Sequence, residues 1–147
     1  MNKQRLSAGV VVVRRRYSEW SYLLLRSWRY WDFPKGMVEE NETPLEAACR
    51  EVYEESNLVG LQFYWGHHYY QTPPYNRGKV ARYYMAESPA GDVSLPISEE
   101  LGRPEHEEFR WVSLSTGMEM LSPRVQPVLQ WAAAILAGAD GTSGTKR

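Results

Sequence analysis

The chain has 147 residues, of which 43% are hydrophobic and 24% are charged, a balance typical of a folded globular protein. Its net charge of −1 gives no general reason to expect duplex nucleic acid or an anionic membrane as a partner. No stretch approaches the roughly 20 apolar residues that a membrane span needs. The single cysteine cannot form an internal disulfide, which predicts a reducing compartment, the cytoplasm.

The first 42 residues predict a β-hairpin and a broken connection. The β-branched run SAGVVVVRR at 7–15 is typical of a buried central strand, and WSYLLLRS at 20–27 predicts a second strand. The short polar link between them favours a hairpin. Residues 30–42 contain a proline and a glycine, so we expect a loop with short strands there.

A helix is predicted to begin after Thr43 and to end near Asn57. Thr43 and Glu46 form a T-x-x-E capping box, with a proline at the first helical position. Asn57 can adopt the left-handed conformation that ends a helix. The apolar stripe expected to face the core consists of Leu45, Ala48, Cys49 and Val52.

The second half of the chain predicts three strands and a C-terminal helix. The aromatic runs at 61–71 and 79–87 favour strands, and a polar loop at 91–107 leads to a last strand at 108–114. A Ser-Pro signal predicts a helix over 122–138. Its inward residues are expected to be Val125, Val128, Leu129, Ala132 and Leu136. This order of elements predicts a mixed sheet between helices, in the α/β (α+β) class.

Three carboxylates crowd the end of the first predicted helix. Glu51, Glu54 and Glu55 stand at i, i+3 and i+4 and share one face. Like charges at this spacing cost about 0.2–0.5 kcal/mol per pair, and the negative end of the helix dipole also disfavours them. An ordinary solvated face is one interpretation. The other is a site for Mg²⁺ or Mn²⁺, since a hard divalent cation prefers carboxylate oxygens and reverses both penalties.

The surroundings of this cluster resemble the signature of the Nudix hydrolases. That signature is a Gly, five residues, a Glu, seven residues, then Arg-Glu-aliphatic-any-Glu-Glu-any-Gly-aliphatic. The stretch GMVEENETPLEAACREVYEESNL, Gly36 to Leu58, matches it except at one position. There Asn57 replaces the second Gly, and Asn is the next-best residue for that backbone geometry.

The resemblance covers nearly the whole chain. It implies a Nudix-type mixed β-sheet sandwiched between α-helices, in a single domain over residues 1–138 with a flexible tail over 139–147. It also implies an enzyme, a monomer or homodimer, that hydrolyses a nucleoside diphosphate linked to another group.

The same resemblance assigns roles to the residues of the signature. The implied metal ligands are the carboxylates of Glu51, Glu54 and Glu55 and the carbonyl of Gly36. Glu42 and Arg50 are implied to support them, Arg50 by orienting carboxylates. Polyphosphate hydrolysis needs a base that deprotonates water, and both Glu51 and Glu54 remain candidates for it.

A fourth carboxylate is expected from the loop before the last strand. Relatives tend to carry a Glu six residues before the strand Trp, here Trp111, and this selects Glu105. Glu107 is the second candidate. The alternative for Glu105 is an ordinary loop charge.

The segment that leads into the first Gly of the signature suggests a substrate. WDFPKG, Trp31 to Gly36, resembles the same segment in the asymmetrical diadenosine tetraphosphate hydrolases. The runs at 79–87 and 105–114 are also similar to later strands of that group. Lys35 is therefore implied as a phosphate contact, and the substrate as a dinucleoside polyphosphate.

Further substrate contacts are expected downstream. Lys79 or Arg82 is a second candidate phosphate contact. Tyr75 lies seventeen residues past the signature, where dinucleoside polyphosphate hydrolases tend to carry a Tyr. Tyr83 and Tyr84 alternate along a strand, so one is expected to face the core and the other a cleft, where it can stack on a base. Tyr84 is retained as the candidate.

Other substrates and another class of protein remain open. Tyr30 stands where some relatives carry a His, and Pro73 stands at a position associated with ADP-ribose pyrophosphatases. The chain also resembles the catalytic domain of mRNA-decapping enzymes. Capped or triphosphorylated RNA ends, ADP-ribose and nucleoside triphosphates are therefore alternative substrates. The alternative class is a Nudix-fold domain that binds a nucleotide without cleaving it.

Overall fold

The computed structural model describes residues 5–140, which form nine strands and three helices. The strands are β1 (Arg5–Arg16), β2 (Glu19–Ser27), β3 (Tyr30–Asp32), β4 (Lys35–Met37), β5 (Tyr70–Gln71), β6 (Lys79–Glu87), β7 (Ile97–Ser98), β8 (Arg103–Pro104) and β9 (Glu108–Val112). The helices are α1 (Pro44–Ser56), α2 (Leu114–Met120) and α3 (Gln126–Asp140). Over this part of the chain, no helix is long and apolar enough to cross a membrane.

Strand β1 is the centre of a seven-stranded mixed sheet. It runs parallel to β6 along one edge and pairs antiparallel with both β4 and β2 along the other. The outer strands are β3 and β9, which pair with β2, and β5, which pairs with β6. Strands β7 and β8 form a separate two-stranded sheet. The predicted mixed sheet and its first hairpin are confirmed.

The sheet has a hydrophobic cluster on each face because the residues of β1 alternate between them. Val10 and Val12 pack with the apolar residues of α1, and Val11 and Val13 pack with those of α3. The predicted inward residues of the C-terminal helix are all buried: Val125, Val128, Leu129, Ala132 and Leu136. The prediction of a sheet between helices is therefore confirmed.

Helix α1 begins and ends as predicted. The Thr43 hydroxyl accepts a hydrogen bond from the Glu46 amide, and the Glu46 carboxylate accepts one from the Thr43 amide. At the other end Asn57 has φ 67° and ψ 12°, and its N–H donates to the Tyr53 carbonyl. These two caps determine where the carboxylates of the last turn lie.

The predicted strand at 61–71 is wrong for most of its length. Only Tyr70 and Gln71 form a strand, although Gln62 makes an isolated bridge to Glu87. A turn closes at Gly66, which has φ 90°, and this conformation breaks an extended strand.

The region after the last strand also differs from the prediction. Strand β9 stops at Val112 because Ser113 caps α2, a helix that the sequence analysis did not predict. Helix α3 begins at Gln126, four residues later than expected, and continues to Asp140. The rest of the predicted tail, 141–147, lies outside the described residues.

Candidate active site

The three carboxylates on the last turns of α1 form a gradient from solvent to the interior. The Glu54 side chain is 53% exposed, that of Glu51 12% and that of Glu55 only 2%. The acidic face therefore borders the core, and it is not an ordinary solvated helix face.

Gly36 is the contact between strand β4 and this face. The Glu51 carboxylate lies so close to its backbone that an added Cβ at position 36 would be 2.1–2.3 Å from the carboxylate atoms. Any side chain there would displace Glu51. Glycine is thus needed for the close approach of the strand to the helix.

Arg50 is surrounded by acceptors. Its Nε donates to Glu42 at 2.6 Å, and its Nη2 donates to the Met37 carbonyl at 3.0 Å. Its Nη1 donates to two carboxylates, Glu51 at 2.9 Å and Glu54 at 3.0 Å. The hydrogen bond with Glu42 raises the pKa of Arg50, and the same bond lowers the pKa of Glu42. Arg50 therefore stays charged and holds two of the three carboxylates in orientation.

Among residues 5–140, no Lys or Arg side chain forms an ion pair with Glu55. One oxygen accepts the Lys35 amide hydrogen bond at 3.2 Å, and the other, Oε2, is buried without a hydrogen-bond partner within residues 5–140. Burial, and with it the negative charges of Glu105 and Glu51, raises the pKa of Glu55 well above the usual carboxyl range. A buried carboxylate oxygen without a partner is costly. A divalent cation would satisfy it, so the residues present fit a metal.

A cavity of about 390 Å³ lies between the end of α1 and the loop from Leu95 to His106. Glu105 lines it together with Glu54 and Glu55. Burial and then the charge of Glu51 raise the pKa of Glu105. The sequence-predicted fourth carboxylate thus lies beside the other three.

Of the two residues that follow Glu105, only His106 lines the cavity. Glu107, the second candidate, lies 2.8 Å from Arg26 in an ion pair and does not line the cavity. His106 lines the cavity, and burial lowers the pKa of its imidazole. Sequence reasoning missed His106, for which the only signal was its position next to Glu105.

Lys35 contacts both the carboxylate cluster and a second group of charged residues, Asp32 and Arg124. Its Nζ lies 3.7 Å from Asp32 Oδ2, and Arg124 Nη2 lies 3.8 Å from the same oxygen. The Arg124 guanidinium lies over the Tyr75 ring, 4.1 Å from its centroid. The Tyr83 hydroxyl donates to Asp32 Oδ1 at 3.0 Å. The sequence does not single out Asp32 and Arg124, because these residues stand 92 positions apart in the chain and meet only in the fold.

The expectation that either Tyr83 or Tyr84 faces a cleft is wrong, because helices cover both faces of the sheet. The two rings do alternate, yet both are buried, Tyr84 against the α1 side. Arg82 donates twice to the Gln71 side chain and lies 4.0 Å from the centroid of the Tyr69 ring. The backbones of Lys79 and Tyr75 form two hydrogen bonds with each other across a tight turn.

The fold and this carboxylate site define a Nudix pyrophosphohydrolase, a class of enzyme that uses divalent metal ions. The model of the NUDIX domain matches residues 3–132, so the chain belongs to the Nudix family.

The chain is similar to proteins named RNA pyrophosphohydrolases and to proteins named Ap4A hydrolases or tetraphosphatases. It is 28% identical over 131 residues to an RNA pyrophosphohydrolase of Rhizobium meliloti, covering 73% of this chain and 77% of that one. It is 26% identical over 126 residues to the asymmetrical bis(5'-nucleosyl)-tetraphosphatase of Rattus norvegicus, covering 78% and 82%. A binary complex of the C. elegans Ap4A hydrolase has a TM-score of 0.75 and 26% identity, covering 90% of this chain and 98% of that one.

Proposed function

We propose that the protein hydrolyses dinucleoside polyphosphates asymmetrically, cutting diadenosine tetraphosphate (Ap4A) into ATP and AMP with Mg²⁺ or Mn²⁺. The observation that carries this proposal is the position of Lys35. Its amide binds the buried carboxylate of Glu55, and its ammonium lies beside Asp32 and thus near Arg124. A chain of phosphates can therefore run from the carboxylates to a pair of cations.

The carboxylate end supplies the chemistry. Glu51, Glu54, Glu55 and Glu105, with the Gly36 carbonyl, would hold the metal. When bound there, a divalent cation neutralises the charge that develops on the phosphate oxygens. Glu54 is favoured as the base, because it is the most exposed of the three helix carboxylates and meets water. It takes a proton from the attacking water as the new P–O bond forms and the bond to the leaving phosphate breaks.

The cationic end supports binding of the remaining phosphates. Lys35 and Arg124 share one carboxylate, Asp32, which leaves one positive charge in excess. The Tyr75 ring holds the Arg124 guanidinium by a cation–π contact. The Arg124 side chain is 33% exposed, so its guanidinium can meet a phosphate oxygen while it lies beside Asp32.

A second candidate substrate is the triphosphorylated 5' end of RNA. Several relatives are named RNA pyrophosphohydrolases, at 25–28% identity. The protein also carries exposed aromatic rings on the β2–β3 turn: Trp28 is 63% and Tyr30 58% exposed, and Arg29 lies over both. Such rings are surfaces on which single-stranded bases stack.

The test is a substrate panel in ¹⁸O-water with Mg²⁺ and Mn²⁺, with the products weighed by mass spectrometry. The panel contains Ap4A, ADP-ribose, ATP and a 5'-triphosphorylated RNA at equal concentrations. We expect ATP and AMP from Ap4A, one of them carrying ¹⁸O. Two ADP molecules, or consumption of ADP-ribose without Ap4A turnover, would overturn the proposal. Preferred release of pyrophosphate or phosphate from RNA would select the second candidate.

A further inference from the structure

The imidazole of His106 lines the cavity and lies next to Glu55, the most buried of the helix carboxylates. Its Nδ1 is 3.9 Å from Glu55 Oε1, and its side chain is only 12% exposed. Within residues 5–140, His106 Nδ1 and Glu55 Oε2 are both buried without a hydrogen-bond partner. One donor atom each of Glu55, Glu105 and His106 lie within 4.8 Å of one another.

No direct contact accounts for this arrangement. The 3.9 Å separation of His106 Nδ1 from Glu55 Oε1 is too long for a hydrogen bond. The nearby cations are engaged elsewhere: Arg50 binds Glu42, Glu51 and Glu54, and the Lys35 ammonium lies beside Asp32. Two buried polar atoms left without partners are costly and require an explanation.

A shared cation would be a partner for both buried atoms and would lie within the cluster of donor atoms. Two donors each about 2.1 Å from one octahedral ion are about 3 Å apart when adjacent and about 4.2 Å apart when opposite. The observed 3.9 Å between Nδ1 and Oε1 exceeds the adjacent spacing by about 0.9 Å, so the two side chains must approach each other to bind one ion. The cluster of three donor atoms within 4.8 Å of one another is compact enough for one ion.

We propose that His106 ligates a divalent cation through Nδ1, together with Glu55 and Glu105, and that this nitrogen makes the protein prefer Mn²⁺ to Mg²⁺. The inference rests on the metal site of the proposed function and adds to it a nitrogen ligand and a metal preference. Imidazole suits first-row transition metals, whereas Mg²⁺ is bound almost entirely through oxygen.

The decisive variant is His106→Asn, whose amide oxygen reaches about as far from the backbone as Nδ1 and replaces nitrogen by oxygen. The matched control is His68→Asn, because His68 is exposed and does not line the cavity. Pulsed electron paramagnetic resonance of the Mn²⁺-loaded full chain should show coupling to a directly bound ¹⁴N in the parent and in His68→Asn. That coupling should be absent in His106→Asn.

Metal titration gives a second readout. We expect His106→Asn to weaken Mn²⁺ binding at least about tenfold while changing Mg²⁺ binding less than about threefold. Melting curves in chelator show whether each variant folds. Mn²⁺ bound to the parent without nitrogen coupling, or an unchanged ratio of Mn²⁺ to Mg²⁺ affinity in the variant, would overturn the inference.

Nitrogen coupling tests the ligand assignment and Ap4A cleavage tests the substrate assignment, so the two can fail separately. If the nitrogen coupling is present and Ap4A is not cleaved, the ligand assignment stands and the substrate assignment falls. If Ap4A is cleaved and the coupling is absent, only the ligand assignment falls. A parent that binds neither metal overturns both.

Discussion

Lys35 connects the two halves of the site at the scale of a single residue. Its backbone amide donates to Glu55, while its side chain extends to Asp32. These contacts come from opposite ends of the same residue, so removal of the side chain leaves the first one in place. The ammonium can thus be tested separately from the fold.

Lys35→Ala should lower kcat/KM at least about tenfold, a loss of about 1.4 kcal/mol in transition-state stabilisation, because a phosphate loses its cation. Steady-state kinetics with the preferred substrate measures the loss. The control is Arg16→Ala, which removes an exposed cation at the end of β1. An unchanged kcat/KM in Lys35→Ala would leave Lys35 as a surface charge.

At the scale of elements, the approach of β4 to α1 positions Glu51. Gly36→Ala places a methyl group where the Glu51 carboxylate lies. We expect activity to fall about 10²-fold or more, as for other lost electrostatic stabilisers. The control Gly138→Ala, whose added Cβ meets no atom of the described part of the chain within 4 Å, should keep full activity. Equal activity of both variants, measured with the same substrate, would contradict this role of Gly36.

The end of α1 depends on the backbone conformation of Asn57, at φ 67°. Asn57→Ala should be about 1 kcal/mol less stable than Asn57→Gly, because alanine is strained in the left-handed region and glycine is not. This corresponds to roughly 2–4 °C in melting temperature for a chain of this size. Denaturant unfolding in chelator compares the two variants. Equal free energies of unfolding would show that this cap does not limit stability.

At the scale of the whole molecule, binding of metal and stability are linked. A metal that binds only the folded chain stabilises it by about 2.7 kcal/mol at a concentration of 100 Kd. The carboxylates that hold the metal repel one another in its absence. Stability in chelator and in Mg²⁺ should therefore respond oppositely to the loss of one carboxylate.

Glu54→Gln should lose activity about 10²-fold or more. In chelator it should be as stable as the parent or a few tenths of a kcal/mol more stable, because a crowded helix end loses a negative charge. In excess Mg²⁺ the order should reverse, since the parent gains more binding free energy. Thermal melts in both conditions, beside an activity assay, measure these effects.

The matched control for this variant is Glu119→Gln. Glu119 is an exposed glutamate near the end of α2, on the opposite face of the sheet. It should show the small gain in chelator and no reversal with Mg²⁺. If Mg²⁺ shifts the melting temperatures of Glu54→Gln and the parent equally and the variant still turns over substrate, Glu54 is not part of a metal site.

Local patterns in the sequence were sufficient for the elements that carry the carboxylates. The T-x-x-E box and Asn57 define the two ends of α1, and hydrogen bonds between near neighbours produce both caps. The spacing of Glu51, Glu54 and Glu55 places them on one face because helical geometry is local. The inward residues of α3, which are Val128, Leu129, Ala132 and Leu136, follow from its periodicity for the same reason.

Only the tertiary structure decided which distant residues meet these carboxylates. Asp32 and Arg124 come together because β3 lies beside the segment that precedes α3, and no periodicity links positions that far apart. His106 reaches Glu55 through a loop whose path depends on packing. The burial of both Tyr83 and Tyr84 likewise depends on helices that cover the sheet from both sides, since strand alternation sets the face of a side chain but not what covers it.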